Sequence, residues 1–228
     1  MKASTRILSI AALALGAAST PVRADSDSGD SMKALSAQWW QWAFSIPKPS
    51  NPLLDPTGAN CMVGQRGSVW FLAGSLDSGT IRRTCSVPEG VTLFFPVINY
   101  FNLNTPGICP PTSLNQTVAQ LRAGAAAAMD TVTGLSAKVD NKPIKQIRRV
   151  RSEPFSGTFP VDNIFVALCD GVFPAGTYSP GVDDGYYVKV RGLDRGVHTL
   201  TFRAVNGTFV IDAEYILNVV PVSREVKD

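Results

Sequence analysis

The sequence predicts a mainly β protein: a β-sandwich or jelly-roll-like domain with an N-terminal Trp-rich helix and one inserted Ala-rich helix. Three observations support this. From Ser68 onward, short runs of strand length are separated by turns rich in Gly, Pro, Asn and Asp, as in stacked sheets. Two of these runs, Ser68 to Ala73 (SVWFLA) and Val91 to Ile98 (VTLFFPVI), are apolar on both faces, as strands between two layers are. Only two stretches show helical periodicity.

The first 24 residues read as an address. Lys2 and Arg6 precede the short apolar run Ile7 to Ala18, and Val22-Arg23-Ala24 offers a cleavage site, the pattern of a secretory signal peptide. Cleavage there leaves Asp25 to Asp228, enough chain for one domain with a sizeable core. No later run is apolar for long enough to span a membrane, so none is expected to. The chain has 21 Lys and Arg against 18 Asp and Glu, but three of the bases, Lys2, Arg6 and Arg23, lie in the leader. The remainder is formally neutral, which gives no basis for a nucleic-acid partner.

Residues 25–30 (DSDSGD) form a polar leader, expected to be flexible, ahead of a helix from Ser31 to about Ser45. Met32, Leu35, Trp39, Trp42 and Ile46 make its apolar stripe, Asp30 or Ser31 can cap it, and Pro47 ends it. Three of the four tryptophans fall in this helix. It has one cation, Lys33, and so lacks the basic polar face of a membrane-lying helix. Trp39 and Trp42 are expected to dock on the core. Trp40 and Phe44 lie off the stripe, where they would line a groove and serve as binding residues.

A Pro- and Asn-rich loop leads to strands at Ser68 to Ala73, Thr80 to Cys85 and Val91 to Ile98. The second helix is expected from a cap at Thr112 or Ser113, with Ser113 and Gln116 as a capping box, to about Met129. Its Ala-rich half suits close packing on a sheet. Six further strands follow: Leu135 to Val139, Ile144 to Val150, Asn163 to Cys169, Tyr186 to Val190, His198 to Ala204 and Phe209 to Val219. Asp183-Asp184-Gly185 reads as one of the turns between them.

Four cysteines in an exported chain imply two disulfides, with three possible pairings. Cys61 with Cys85 and Cys109 with Cys169 is preferred, because the first closes a local loop around one strand pair. With one histidine and no C-x-x-C, no metal site is expected; no cofactor fingerprint occurs either.

Tyr186 to Phe202 (YYVKVRGLDRGVHTLTF) resembles the L-x-x-G-x-H-x-L hairpin of immunoglobulin-like modules in secreted proteins. That resemblance implies a sandwich architecture and no activity. The whole-chain layout is similar to that of secreted bacterial proteins of uncharacterised activity, and brings no catalytic residues to carry over.

Two function classes follow. The first is an exported non-catalytic binding or cell-surface module, taking a polysaccharide or another exported protein. Its binding surface would be Trp40, Phe44 and the cations Arg148, Arg149 and Arg151 of KPIKQIRRVR, a run that as readily forms a solvated face. The second is a carbohydrate-active enzyme. His198, Tyr186, Tyr187 and Arg191 are the residue types with which polysaccharide lyases abstract a proton and neutralise a uronate, although the lyase motifs are absent. Glycosidase-like paired acids would have to come from Glu89, Glu153, Asp184, Asp212 or Glu214. Ser45-Ile-Pro-Lys48 matches S-x-x-K, but it ends a helix where that motif starts one.

Overall fold

The computed structural model describes residues 29–221 apart from 167, 168, 170 and 172. The expected signal peptide (1–24) and most of the polar leader lie outside these residues. Helix α1 (Gly29–Ser45) leads into a Lys48–Ser50 3-10 turn and then β1 (Val69–Phe71), β2 (Gly79–Pro88) and β3 (Thr92–Leu103). Helix α2 (Val118–Asp130) follows, then β4 (Val132–Val139), β5 (Lys142–Pro143), β6 (Arg148–Arg151) and β7 (Phe155–Phe159). The chain closes with β8 (Gly176–Val190), β9 (Gly196–Asn206) and β10 (Phe209–Val220). No helix among the described residues is long and apolar enough to cross a membrane.

Two mixed five-stranded sheets pack together, as the strand texture predicts. The first runs β1-β3-β8-β6 with β7 also on β8; the second runs β2-β10-β9-β4-β5. The β1–β3 and β2–β10 pairs are parallel and the rest antiparallel. The first sheet is covered on both faces, which explains the two-sided apolarity of β3. Phe94 stacks with Tyr187 towards α1 at 5.1 Å between ring centroids, while Phe95 stacks with Phe202 of the second sheet at 5.0 Å.

Helix α1 buries a face wider than one stripe. Met32, Leu35, Trp39, Trp40, Trp42, Ala43 and Phe44 are all buried, and Lys33, Gln38, Gln41 and Ser45 face out. The helix begins at Gly29, so it already contains Asp30 and Ser31, the expected caps. Its far end is closed by buried Asn51, whose amide donates to the Ala43 and Ile46 carbonyls.

Helix α2 starts later than its predicted caps. Thr117 caps it with a complete Thr117–Gln120 capping box. Asn104 accepts from the Gln116 amide and Ser113 Oγ donates to the Thr105 carbonyl, which holds 113–116 out of the helix. Leu121, Ala125 and Met129 are its buried face.

Four expectations about strands and turns change. Asn163 to Cys169 forms no strand in its described residues. Its Asn163 side chain donates to the Pro160 and Phe173 carbonyls and accepts from the Phe165 amide, so a side-chain-tied turn replaces ladder bonds. β7 (FSGTF) lies outside the expected strands; it buries Phe155, Gly157 and Phe159 in alternation. Asp183-Asp184-Gly185 is no turn: it lies inside the long strand β8. The Tyr186 to Phe202 stretch is not a hairpin either, since β8 and β9 belong to different sheets.

The disulfides are Cys61–Cys85 and Cys109–Cys169, the preferred pairing. They are consistent with an oxidising, exported environment. Closing loops of 24 and 60 residues constrains the unfolded chain by about 3 and about 4 kcal/mol.

Arg83 on β2 is 3% exposed, and no carboxylate of a described residue pairs with it. Carbonyl oxygens meet its charge instead: Asp55 at 2.6 Å, Ala73 and Gly74 at 2.9 Å, with Tyr215 Oη at 2.7 Å. It pins the 53–55 and 73–74 loops against the second sheet. Arg83→Met is expected to lower unfolding free energy in urea by about 2–4 kcal/mol, because several buried carbonyls lose their donor. Arg82→Met, whose side chain is 77% exposed, should cost about 0.5 kcal/mol or less. Equal losses at the two positions would contradict this role.

Candidate functional site

A cleft of about 690 Å³ lies beside the outer edge of β3. β1 pairs with β3 only over Val69–Phe71 against Thr92–Phe94; beyond Phe94 no described strand covers that edge. Trp39 and Trp40 of α1 form one wall, and Met129, Phe209 and Ile211 the opposite one. Pro96, Asn99, Tyr100 and Phe101 of β3 make the floor. Leu53, Leu54 and residues 74–76 close the side, on the loops that Arg83 pins. Tyr100 and Leu54, 46% and 40% exposed, stand at the mouth. Lys48 and Asp77 are the charged residues of the lining, one of each sign.

Behind the floor lies a buried polar chain. Trp40 Nε1 donates to Asp183 Oδ1 at 2.7 Å, and Tyr187 Oη donates to Asp183 Oδ2 at 2.9 Å. Asn99 Nδ2 donates in turn to Tyr187 Oη at 2.9 Å. Desolvation in this interior pushes the Asp183 carboxyl well above the usual carboxylate range, while hydrogen bonds from Trp40 and Tyr187 pull the other way. Burial likewise raises the Tyr187 phenol. The sequence reading missed Asp183 and Asn99. A signal was available: alternation carried through VDDGYYV puts Asp183, Gly185 and Tyr187 on one face.

The predicted site residues do not converge. Tyr187 is fully buried and faces α1, whereas Tyr186 faces the other way, its ring 5.8 Å from the Arg149 guanidinium carbon. His198 is on β9 in the other sheet, and Arg191 is exposed in the crossover after β8. Trp40 is 3% exposed and lines the cleft; Phe44 is fully buried behind it, against Phe159 and Phe101.

Two of the five cations of the basic run, Arg149 and Arg151, meet carboxylates. Arg149 grips Asp184 with two bonds of 2.8 and 2.9 Å and reaches Asp130 at 2.7 Å, and Arg151 adds a third bond to Asp184. The Asp184 bonds hold the Arg149 guanidinium more firmly protonated than usual. Arg148 contacts Gln146 and is exposed. Asp184 itself is 2% exposed, not solvated in a turn, and this leaves no wet carboxylate there for glycoside chemistry. Glu89 pairs with Arg195 and Glu214 with Arg82, both on the surface. Ser45 Oγ donates to the Trp42 carbonyl, so the S-x-x-K match carries no nucleophile. Among the described residues no group of three or more His, Cys, Asp or Glu could hold a metal ion.

Comparison with protein families, with curated proteins and with solved structures returns no match. The site is therefore read from its own geometry.

His198 acts as a staple. Nδ1 lies 2.7 Å from Asp140 Oδ2 and Nε2 lies 2.9 Å from the Asp194 carbonyl, two acceptors that only the imidazolium satisfies together. The Asp140 bond, then the Asp194 carbonyl, raise its pKa; the His198 bond lowers that of Asp140. A raised histidine pKa adds stability that is complete below the unfolded value of about 6.5 and disappears as pH climbs through the folded value. The lowered Asp140 pKa adds stability above about 4 that is lost as pH falls through its folded value. His198 is the only histidine, so His198→Gln should show a Tm deficit that is widest near pH 5–6 and narrows as pH rises through the raised folded value. Thermal melts across that range check it; a deficit independent of pH would contradict the charged staple.

Proposed function

We propose that the chain works outside the cytoplasm, in a periplasmic or extracellular setting, as a non-catalytic binding module whose ligand seat is the cleft beside β3. The observation that carries this reading is the cleft itself, about 690 Å³ with aromatic and aliphatic walls, within the size range of small-molecule sites. Its walls are braced by buried groups on three sides: the indoles of α1, the loops held by Arg83, and the Asn99–Tyr187–Asp183 chain beneath. Such bracing favours a preformed seat over a closing active site.

The lining supports a compact apolar ligand better than a polysaccharide, whose many hydroxyls would each need a partner that these walls do not supply. The residues required for lyase chemistry stand on two sheets and on opposite faces of one of them, which weakens the enzymatic alternative. Surface cations around Arg148 would contribute to affinity only for an anionic partner docked elsewhere.

A neutral fluorescent probe, N-phenyl-1-naphthylamine, tests the seat. Saturable one-to-one binding in the micromolar range is expected. Gly74 lines the cleft, and a Cβ placed there meets nothing within 4 Å, so Gly74→Trp should plug the space without disturbing the core. It is expected to weaken the probe at least tenfold, about 1.4 kcal/mol, with an unchanged unfolding midpoint. Unsaturable binding to the wild type, or equal affinity in the plugged variant, would contradict the proposal.

A further inference from the structure

Within the cleft, Asn99 is the polar side chain best placed to read a ligand. It is half-buried on the floor, and its Nδ2 is committed to Tyr187 Oη at 2.9 Å. No described residue donates to its Oδ1. The other lining amide, Asn206, is occupied at both ends, with Nδ2 on the Ala128 carbonyl and Oδ1 accepting from Thr131. An amide is informative to a ligand only if it cannot flip, and here the flip is blocked from behind. The Tyr187 proton is directed to Asp183 Oδ2, so the phenol oxygen faces Asn99 as an acceptor and demands its NH₂. Asp183 is in turn held by the Trp40 indole and, through its own amide, by Ser152 Oγ.

Gly185 makes this arrangement possible. It faces Asn99 across the ladder, and a Cβ there would sit 2.5 Å from Asn99 Cβ and 2.9 Å from Tyr187 Cε2. Only glycine lets the two side chains meet over β8.

On the reading of the cleft as a ligand seat, we propose that Asn99 is its specificity-determining residue, positioned by Tyr187 and Asp183, and that the ligand is a neutral, flat aromatic molecule bearing a hydroxyl donor. Neutrality follows from the lining, whose two charges, Lys48 and Asp77, are opposite. Flatness follows from the indole, phenol and phenyl rings of Trp40, Tyr100 and Phe101, which offer faces and edges to a ring. The hydroxyl follows from Asn99 Oδ1, which a ligand lacking a donor would cover and leave dry.

The matched probes 2-naphthol and 2-methoxynaphthalene share the ring system and differ in the donor. Quenching of tryptophan fluorescence should show the wild type binding 2-naphthol about five- to tenfold more tightly, the worth of one neutral hydrogen bond. Asn99→Leu should reduce that ratio to about one, by weakening 2-naphthol and by sparing 2-methoxynaphthalene the dry amide oxygen. Tyr187→Phe, which frees the amide to turn, should also collapse the ratio. Should Tyr187→Phe fail to fold, the half-buried Asn99→Leu and Asn99→Ala still decide. If neither probe binds the wild type, the ligand seat itself fails. If both bind but with equal affinity, or if the preference survives in Asn99→Leu, the seat stands and the assignment of Asn99 is overturned.

Discussion

Three indole N–H groups on one helix organise the molecule. Trp39 donates to the Leu72 carbonyl at the end of β1, Trp40 to Asp183 inside β8, and Trp42 to the Val63 carbonyl of the long loop. Each bond ties α1 to a different part of the chain, and each indole brings a large apolar area with it. A helix held through three separate segments is a structural wall rather than an attachment. The cleft exists because that wall stands beside a sheet edge which β1 is too short to cover.

A second constraint runs from the opposite side. Arg83 carries a full charge into the core and satisfies it on backbone carbonyls, at a desolvation cost that a simple packing residue would not incur. Its reward is geometric: the loops at Leu53–Asp55 and Ala73–Gly74 are fixed relative to Tyr215 and the second sheet. The Trp helix and the Arg83 loops thereby hold two borders of one space. Asp183 joins the third, because it bonds Trp40 in the wall and, through Tyr187, Asn99 in the floor.

The layers were legible where periodicity was strong. The α1 stripe and the two-sided strands follow from apolar spacing, and the cysteine count implies two disulfides, for which sequence spacing only favours one pairing over two others. What escaped is polar and depends on long-range contact. VDDGYY carries turn chemistry by composition, yet β3 and β6 pair with it on either side and Arg149 neutralises Asp184, so tertiary contact overrides local preference. Arg83 looks like any cation in TIRRTC, and its neighbour Arg82 is the exposed one; only the alternation of the strand separates them. The pairing of Arg149 and Arg151 was hidden for the same reason, since Asp184 lies 35 and 33 positions away. Trp40, expected as a binding residue along a groove, stands in the cleft as a buried wall.

Hydrogen exchange of the indole N–H signals in NMR spectra reports whether α1 is an integral wall of the cleft. Trp39, Trp40 and Trp42 are expected to exchange only through global unfolding, with protection matching the most stable amides of β3 and β8. Exchange of the three together at a much lower opening free energy, with the sheets still protected, would show that the helix detaches on its own and is no fixed wall.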